Sequence, residues 1–479
     1  MNDAAGKVGN SARKWRRAAL LFLAGTFAGC VHYHAAPLDS QRSADEFAAR
    51  RLDDEQLRDR LAPLMPEAAA AWPPREWNRA QLLAVALTQN PQLAVARAQI
   101  AAVQSHEISA AQAPNPDLIL QSEYARHDGH PWLYGVALDW LLRSPERRRL
   151  EIDMARLDTG NARLQLMDRA WAVRSALAAA LSEWESGRRR LALLGLLAAA
   201  QDRLLELERQ RVTAGEDAPA ELVSAEQSRI QIEQSQAELR QRIDAAQSTA
   251  ANALGLPPQA LDDVVLVWTD WGAPPPVKDD ARREVREQAL LSRADLGVAI
   301  GEYAAAEAKL KLSIARQYPQ FVLSPGYYWD HGIAKFPFDV GFTLPFNGNR
   351  GEIAEARAGR ELAGQRLLAL QADIYGDIAA AERAEQIARA SADAAERRLE
   401  AARRQQGAAD LGLKLGAVDA EESLSAAILT MRAELETLEA RARLQESRNN
   451  LEDVLHAPLS GPELALAKSM SLIASGGAL

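Results

Sequence analysis

The chain has 479 residues, of which 25% are charged, and its formal net charge is −9. Residues 1–29 carry five basic side chains and one acidic side chain, so the part that begins at Cys30 carries a net charge of −13. Such an acidic balance argues against nucleic acid as a partner. Cys30 is the single cysteine, which excludes a disulfide framework and a cysteine-based zinc site.

The N-terminus has the pattern of a secretory signal. A basic segment precedes an apolar stretch from Ala18 to Gly29, which is too short to span a bilayer. Residues 26–30 (Thr-Phe-Ala-Gly-Cys) resemble the lipobox of bacterial lipoproteins, in which the cysteine is acylated and becomes the new N-terminus. This resemblance implies that Cys30 carries acyl chains such as palmitate, and Val31 after it implies the outer membrane. A plain signal peptide with an incidental cysteine is the alternative.

The two halves of the chain repeat one order of predicted elements. Leu93 and Leu296 lie in helical stretches 203 residues apart, and a proline follows each of them 23 residues later, at Pro116 and Pro319. This repeat is too long for a solenoid unit, so it indicates an internally duplicated chain. The predicted organisation is a signal peptide (1–29), a lipid-anchored N-terminal segment (30–75), a first repeat (76–265), a linker (266–284), a second repeat (285–460) and a C-terminal tail (461–479).

Each of these prolines is followed by a predicted pair of strands with alternating apolar and polar residues. The strands are 118–124 and 132–141 in the first half, and 321–329 and 336–346 in the second. Asp128-Gly129 between the first two strands is typical of a hairpin turn. Of the 26 aromatic residues, 13 fall in residues 117–142 and 318–346, which is typical of the aromatic girdles of a membrane barrel.

The strand pairs imply that several copies share one barrel. Four strands cannot close a barrel, and open strand edges are not tolerated in lipid. Three copies would supply twelve strands. An ordinary soluble sheet with an aromatic core is the alternative.

Long proline-free segments, 146–218 and 346–457, predict two helical hairpins because good helix formers dominate them. The predicted helices are Pro145 to about Thr213, Ala220 to Leu254, Gly351 to Gln406 and Gly416 to Leu455, with a turn over Gly407–Gly416. Wide, alanine-rich apolar stripes indicate neighbours on both sides of each helix, as in a closed ring. Sustained heptads would instead favour a homodimeric coiled coil.

The order of signal, duplicated halves, strand pairs and helical hairpins resembles the TolC-like outer membrane efflux proteins, specifically the lipoprotein branch that serves resistance–nodulation–division pumps. Residues 344–351 (Leu-Pro-Phe-Asn-Gly-Asn-Arg-Gly) look like the family's turn from the last strand into the long helix. Residues 222–226 and 418–421 look like its hairpin returns. The resemblance covers about residues 76–460, and the first half departs from it at 143–146, where the glycine-rich turn is missing.

The resemblance implies a mainly α-helical chain with a β-hairpin pair, assembled as a homotrimer with an α-barrel and a shared 12-stranded transmembrane β-barrel. It implies the exit duct of a tripartite efflux system, which passively conducts substrates to the outside. The implied partners are a periplasmic adaptor, an inner-membrane resistance–nodulation–division pump and outer membrane lipid, with no cofactor and no catalysed reaction. The alternatives are a type I secretion duct, a periplasmic coiled-coil tethering lipoprotein and a surface-anchored enzyme, for which no convergent polar site is visible.

Acidic residues near the predicted turns are candidates for the channel aperture. They are Glu216, Asp217, Asp410 and Asp419, with Arg209, Arg211, Arg403 and Arg404 as their candidate partners. Threefold symmetry would turn each acid into a ring, which favours cations at a constriction. Gly215, Pro219, Gly407 and Gly412 mark the tips that would face the adaptor. A solvated turn of mixed charge is the simpler alternative.

The histidines form two groups along the sequence. His32 and His34 follow Cys30 in a His-x-His pattern, for which a solvated tether is the simpler interpretation. His127, His130 and His331 fall at the predicted strand turns, where imidazoles could bind zinc or copper. Because polar loop residues are the simpler explanation there as well, the sequence assigns no metal site.

Overall fold

The structure, a computed structural model, describes residues 32–126, 129–216, 218–464 and 466. Two compact units are present, which meet in sequence between Ala49 and Arg50. In the first unit, the described residues hold helix α1 (Ser40–Ala48), which is capped by Asp39. The remaining elements belong to the second unit.

The second unit contains the same order of helix, strands, long helix and return helix in each half. Its first elements are α2 (Glu55–Leu61), α3 (Pro66–Ala70), β1 (Trp77–Asn78), α4 (Arg79–Gln89), α5 (Pro91–Ala111), β2 (Asp117–Tyr124), β3 (Trp132–Leu142), α6 (Pro145–Ala214) and α7 (Pro219–Leu254). After a 3₁₀ turn at Pro258–Leu261 follow β4 (Leu266–Val267), α8 (Asp279–Ser292), α9 (Ala294–Ala315), β5 (Phe321–Asp330), β6 (Ile333–Lys335), β7 (Phe338–Phe342), α10 (Arg350–Leu415) and α11 (Ala420–Leu455). The fold is therefore mainly helical with few strands. In the described part of the chain, no helix is both long and apolar enough to cross a bilayer.

The long helices begin and end at the residues that local chemistry favours. Helix α6 has 70 residues, so it is about 105 Å long at 1.5 Å per residue. Pro145 occupies its first turn, where the missing N–H costs nothing, and Gly215 ends it with a φ of 79°. Helix α7 returns along α6 from Pro219. These limits confirm the predicted first hairpin to within a residue or two.

The second hairpin turns later than the sequence predicts. Helix α10 has 66 residues and runs through Gly407 and Gly412 to Leu415, so the prediction of a turn that begins at Gly407 is wrong. A glycine inside a helix costs only about 0.5–1 kcal/mol, which the packing of α10 along α11 offsets. The turn lies at Gly416–Asp419, where Gly416 has a φ of 71° that disfavours other residues.

Five strands form an antiparallel sheet in the order β2-β3-β5-β6, with β7 also pairing with β5, and β1 and β4 form a separate parallel pair. Two prolines interrupt the expected pattern because they cannot donate a backbone hydrogen bond. The β3–β5 pairing is broken at Pro325 and continues at Leu323 opposite Trp140. The predicted strand 336–346 is observed only as β7 (Phe338–Phe342), and β6 (Ile333–Lys335) precedes it on the other side of Pro337.

The largest apolar core surrounds α4. Leu82, Leu83 and Val85 of this helix are buried among residues of α6, α7 and the segment that contains Trp268 and Trp271. Away from this core, smaller clusters join the hairpin helices, one that contains Leu194, Leu197, Ile232 and Leu239 and one formed by Ala392, Ala395, Ala440 and Leu444. The largest core therefore lies away from the hairpin turns, and smaller clusters of packed side chains hold the helices together nearer to the turns.

Candidate functional site

One face of the β2–β7 sheet is apolar. Cross-strand pairing fixes its members, since Val136 lies opposite both Leu120 and Tyr327. The large apolar residues of this face are Leu118, Leu120, Tyr124, Trp132, Tyr134, Val136, Leu138, Trp140, Leu142, Phe321, Leu323, Tyr327, Trp329, Phe338, Val340 and Phe342, and the smaller Ser122, Pro325 and Ala334 lie among them. Most of these side chains are exposed in the single chain. A continuous exposed apolar surface of this kind marks a contact with lipid or with another protein.

Aromatic rings lie toward the two ends of the apolar face. At one end, the rings of Tyr124 and Trp132 are 4.9 Å apart, and those of Tyr134 and Trp329 are stacked at 6.4 Å. At the other end, the rings of Phe321 and Phe342 are 5.7 Å apart. Aliphatic residues such as Leu120, Val136 and Val340 lie between them. This distribution matches a hydrocarbon band with an aromatic girdle at each interface.

The opposite face of the sheet carries its charged side chains and several small residues, together with apolar residues such as Ile119, Leu141, Val322 and Ile333. Asp117 lies opposite Asp139, and Asp339 lies opposite Ser324, so carboxylates line up across the strands. Gly135 leaves room for the Tyr328 ring, because a Cβ at residue 135 would stand 2.1 Å from Cδ1 of that ring. The two faces thus differ in charge, since the charged side chains of the strands all lie on the second face, as in a barrel whose lumen holds water.

Both edges of this sheet are open within the described part of the chain. Strand β2 pairs only with β3, and β6 and β7 pair only with β5. The outward N–H and C=O groups of β2, β6 and β7 therefore have no strand partner in one chain.

The two hairpin turns have the same backbone design. In the first turn, the N–H of Glu216 donates to the carbonyl of Arg211 at 2.9 Å, and in the second the N–H of Ala417 donates to the carbonyl of Gly412 at 2.8 Å. These bonds satisfy the last carbonyl groups of α6 and α10. Pro219 begins α7 directly after the first turn, and Ala420 begins α11 after the second. Each long helix is therefore followed by a short turn and a return helix.

An ion pair links the two hairpins beside these turns. Nη1 of Arg211 on α6 lies 3.2 Å from Oδ2 of Asp419 and 2.9 Å from Oε2 of Glu421. Asp419 also caps α11 by accepting the N–H of Glu422 at 2.8 Å. This backbone hydrogen bond, together with the one from Arg211, lowers the pKa of Asp419. Sequence analysis proposed Arg211 and Asp419 as candidates but did not identify Glu421.

The other candidate arginines make different contacts within one chain. Arg403 lies 3.3 Å from Glu434, within the second hairpin, rather than beside an aperture acid. Arg209 likewise lies 3.3 Å from Glu226, within the first hairpin. Arg404 is exposed on α10.

The remaining candidates are spread over the described residues. Glu216 is exposed, and Oδ1 of Asp410 accepts the hydroxyl of Ser423 at 2.8 Å. Cys30, Asp217 and His127 lie outside the described residues. In the part that the structure describes, no group of three or more histidine, cysteine or acidic side chains is arranged to hold a metal ion.

Sequence analysis missed a buried ion network between the same two hairpins. Arg174 of α6 pairs with Glu452 of α11, and it also lies 2.7 Å from Glu463. Burial opposes the charge on Arg174, but Glu463 and Glu452 raise its pKa overall. The contacts span 278 and 289 residues of sequence, so no local pattern indicates them.

A second buried carboxylate, Glu385 on α10, lies beside this network. Its Oε1 is 2.7 Å from Arg389 and 2.8 Å from Arg448, and its Oε2 is 3.4 Å from Arg282. Burial would raise the pKa of Glu385, but the hydrogen bond from Arg389 and the surrounding arginine charges lower it overall. The spacing of Glu385 and Arg389 by four residues was the one signal visible in the sequence.

Solved structures of outer membrane channels share this fold. VceC from Vibrio cholerae is 16% identical, with 80% of this chain and 97% of that chain covered and a TM-score of 0.64. CmeC from Campylobacter jejuni is 12% identical, with 83% and 89% covered and a TM-score of 0.65. The open state of MtrE from Neisseria gonorrhoeae is 17% identical, with 80% and 89% covered and a TM-score of 0.61. At such low identities these likenesses show the fold alone.

In the second half of the chain, residues 285–455 match the model of the outer membrane efflux proteins. No curated protein matches the sequence. The match supports the TolC-like family inferred from the sequence, an outer membrane location and a role as an efflux channel.

Proposed function

We propose that three copies of this chain form the exit duct of a tripartite efflux system in the outer membrane. The sheet carries this proposal, because its apolar face is bounded by two open edges. In hydrocarbon, each unpaired backbone group costs several kcal/mol, so β2 of one copy must pair with β6 and β7 of the next. With β6 and β7 counted as one interrupted strand along β5, three copies then close a barrel of twelve strands, with the charged face toward the lumen.

The helical hairpins support the same assembly. Helices α7 and α10 carry exposed apolar side chains in the single chain, among them Val223 and Ile230 on α7 and Leu368 and Ile387 on α10. Neighbouring copies would cover these positions if the hairpins close into an α-barrel below the membrane. The internal duplication then supplies two similar hairpins per copy, and the duct conducts substrates passively to the outside.

We also propose that acyl chains on Cys30 anchor the protein to the outer membrane. The mature chain would begin at Cys30, whose acyl chains hold the segment 30–75 at the membrane, ahead of the repeats 76–265 and 285–460. Several acyl chains anchor durably, whereas one does not. Intact-mass analysis of membrane-extracted protein tests this, since an unmodified Cys30 in a soluble mature chain would refute it.

The hairpin tips would contact the periplasmic adaptor and lead to the inner-membrane pump. In a trimer, six turns surround one opening, and each aperture acid, Glu216, Asp217, Asp410 and Asp419, is present three times. The pair between Arg211 and Asp419 joins the first hairpin to the second at that opening. We propose that this pair helps to hold the tips closed.

Native mass spectrometry in detergent tests the assembly, for which we expect a homotrimer. Val340 on the apolar face and Gly341 on the polar face offer a matched pair of substitutions. Val340→Lys should destabilise the barrel by roughly 2–4 kcal/mol per chain if it lies near mid-membrane, and Gly341→Lys should be tolerated. A monomer or dimer with full strand content would refute the shared barrel.

A further inference from the structure

We propose that His130 and His331 form a binding site for a divalent transition-metal ion where the two strand hairpins meet. His130 precedes β3, and His331 directly follows β5, the neighbouring strand. The site is independent of the aperture and of the efflux assembly.

The backbone brings these two histidines to the same end of the sheet. His331 has a φ of 49°, and its N–H donates to the carbonyl of Trp132 at 3.3 Å. This bond ties the turn after β5 to the start of β3, two residues beyond His130. The positive φ places His331 in a conformation that non-glycine residues adopt rarely and that is enriched at functional sites.

Asp330 orients the imidazole of His331. Nδ1 of His331 lies 2.5 Å from Oδ1 of Asp330, and the other oxygen of that carboxylate pairs with Lys335. A carboxylate at Nδ1 retains the proton there, which leaves the lone pair of Nε2 available. Metal-binding histidines commonly have this arrangement, because the carboxylate fixes both the tautomer and the ring orientation.

Nε2 of His331 is an unsatisfied acceptor. The atom is buried and has no hydrogen-bond partner in the described part of the chain. A buried polar atom without a partner costs about 1–3 kcal/mol, and such atoms are uncommon in folded proteins. None of the described residues donates a hydrogen bond to Nε2. A bound cation at this atom would remove the cost.

His130 supplies the second imidazole. A Cβ at Gly332 would stand 2.9 Å from Cδ2 and 3.4 Å from Nε2 of His130, so the ring lies against the residue that follows His331. Gly332, with a φ of 95°, leaves the space that the ring occupies. The His130 ring therefore lies beside the turn that carries His331, whose own ring is oriented by Asp330.

The donor set selects the class of metal. Imidazole nitrogen suits zinc, nickel and copper(II), whereas calcium and magnesium prefer oxygen ligands and copper(I) prefers sulfur. Because the described residues include no group of three such side chains arranged for a metal, water must complete the coordination.

Titration of the full-length protein in detergent with zinc chloride, followed by calorimetry, tests the proposal. We expect one site per chain that is lost in His130→Gln and in His331→Asn, where asparagine tolerates the left-handed backbone. His106→Gln, at an exposed position on α5, is the matched control and should bind like the wild type. Copper(II) bound to the wild type should show nitrogen ligands by electron paramagnetic resonance, even if a variant fails to fold.

Asp330→Asn separates the orienting role from ligation. It should weaken zinc binding by about 10–100-fold without changing the number of sites. Wild-type affinity in the His130→Gln/His331→Asn double variant would overturn the proposal. Loss of the site in a His32→Gln/His34→Gln variant instead would also overturn it, because the ion would then bind near the N-terminus.

Discussion

Helices α6 and α11 are joined by ion pairs in two regions that differ in burial. Near the end of α11, Arg174 is 2% exposed and pairs with Glu452 and Glu463. Beside the turns, Arg211 is 34% exposed and pairs with Asp419 and Glu421. The same kind of ion pair is therefore buried in the first region and partly exposed to solvent in the second.

This difference predicts where the hairpins can separate. A buried ion that loses its partner is left without solvation, so breaking such a pair is strongly destabilising. An exposed pair contributes about 0–1 kcal/mol and is screened by salt. We infer that α6 and α11 are held firmly near the core and loosely at the tips, which is the arrangement that a duct with an opening tip requires.

The largest effect is expected from Arg174→Ala. The substitution leaves Glu452 and Glu463 buried without this partner, and the expected loss of unfolding free energy is about 3–5 kcal/mol per chain. Arg190→Ala is the graded control, because Arg190 also links α6 to α11, through Glu439 at 2.8 Å, but is 22% exposed. Denaturant unfolding in detergent should rank Arg174→Ala above Arg190→Ala. The reverse ranking would contradict the comparison.

A pH effect of similar size is expected at the same region. His456 ends α11, stacks on Trp171 of α6 at 5.3 Å, and has a pKa lowered to about 4 by burial and then by the charge of Arg293. The unfolded chain therefore takes up this proton near pH 6.5, and the folded chain only near pH 4. Stability should fall as the pH drops between these values, by up to about 3 kcal/mol, and no further below pH 4.

The variant His456→Asn isolates the contribution of His456 to the pH dependence of stability, since asparagine tolerates the φ of 48° at this position. Asp168, whose pKa is raised chiefly by burial, titrates in both proteins and cancels in the difference. Thermal unfolding followed between pH 7 and pH 4 by tryptophan fluorescence should show a steeper loss for the wild type. Parallel curves would rule out His456 as the group responsible.

The smallest effect on stability, and the clearest effect on conduction, is expected from Arg211→Ala. The free energy of unfolding should change by less than about 1 kcal/mol, because the pair is exposed. Single-channel conductance should rise, since Asp419 and Glu421 would repel each other and their copies once the arginine is removed. Arg403→Ala is the matched control, because Arg403 contacts Glu434 inside one hairpin. Equal conductance in both variants would argue against gating by Arg211.

The sequence predicted the elements best where one residue marks a boundary. Pro145 and Gly215 delimit α6, and the prediction ended within a residue of the helix observed. Gly407 misled the prediction because glycine is also tolerated inside a helix that is held by its neighbour. Pro337 was not recognised as the point that divides the last strand, although it cannot donate to a sheet.

The contacts between distant residues were beyond prediction from one sequence. Arg211 and Asp419 are 208 residues apart, and both were named only because each lies near a turn. Arg174 and Glu452 are 278 residues apart in stretches that look like ordinary amphipathic helix. Charged residues of this kind are normally solvent-exposed, so only the packing of α6 against α11 shows that they are buried.

The central claim, that one sheet face lies in lipid and the other in water, is tested most directly by spin labels at adjacent positions. Single cysteines at Leu120 and Val340 report on the apolar face, and those at Gln121 and Gly341 on the polar face. In the reconstituted protein, oxygen should relax the labels at 120 and 340, and a water-soluble nickel complex those at 121 and 341. Equal access of the nickel complex to all four labels would contradict the account.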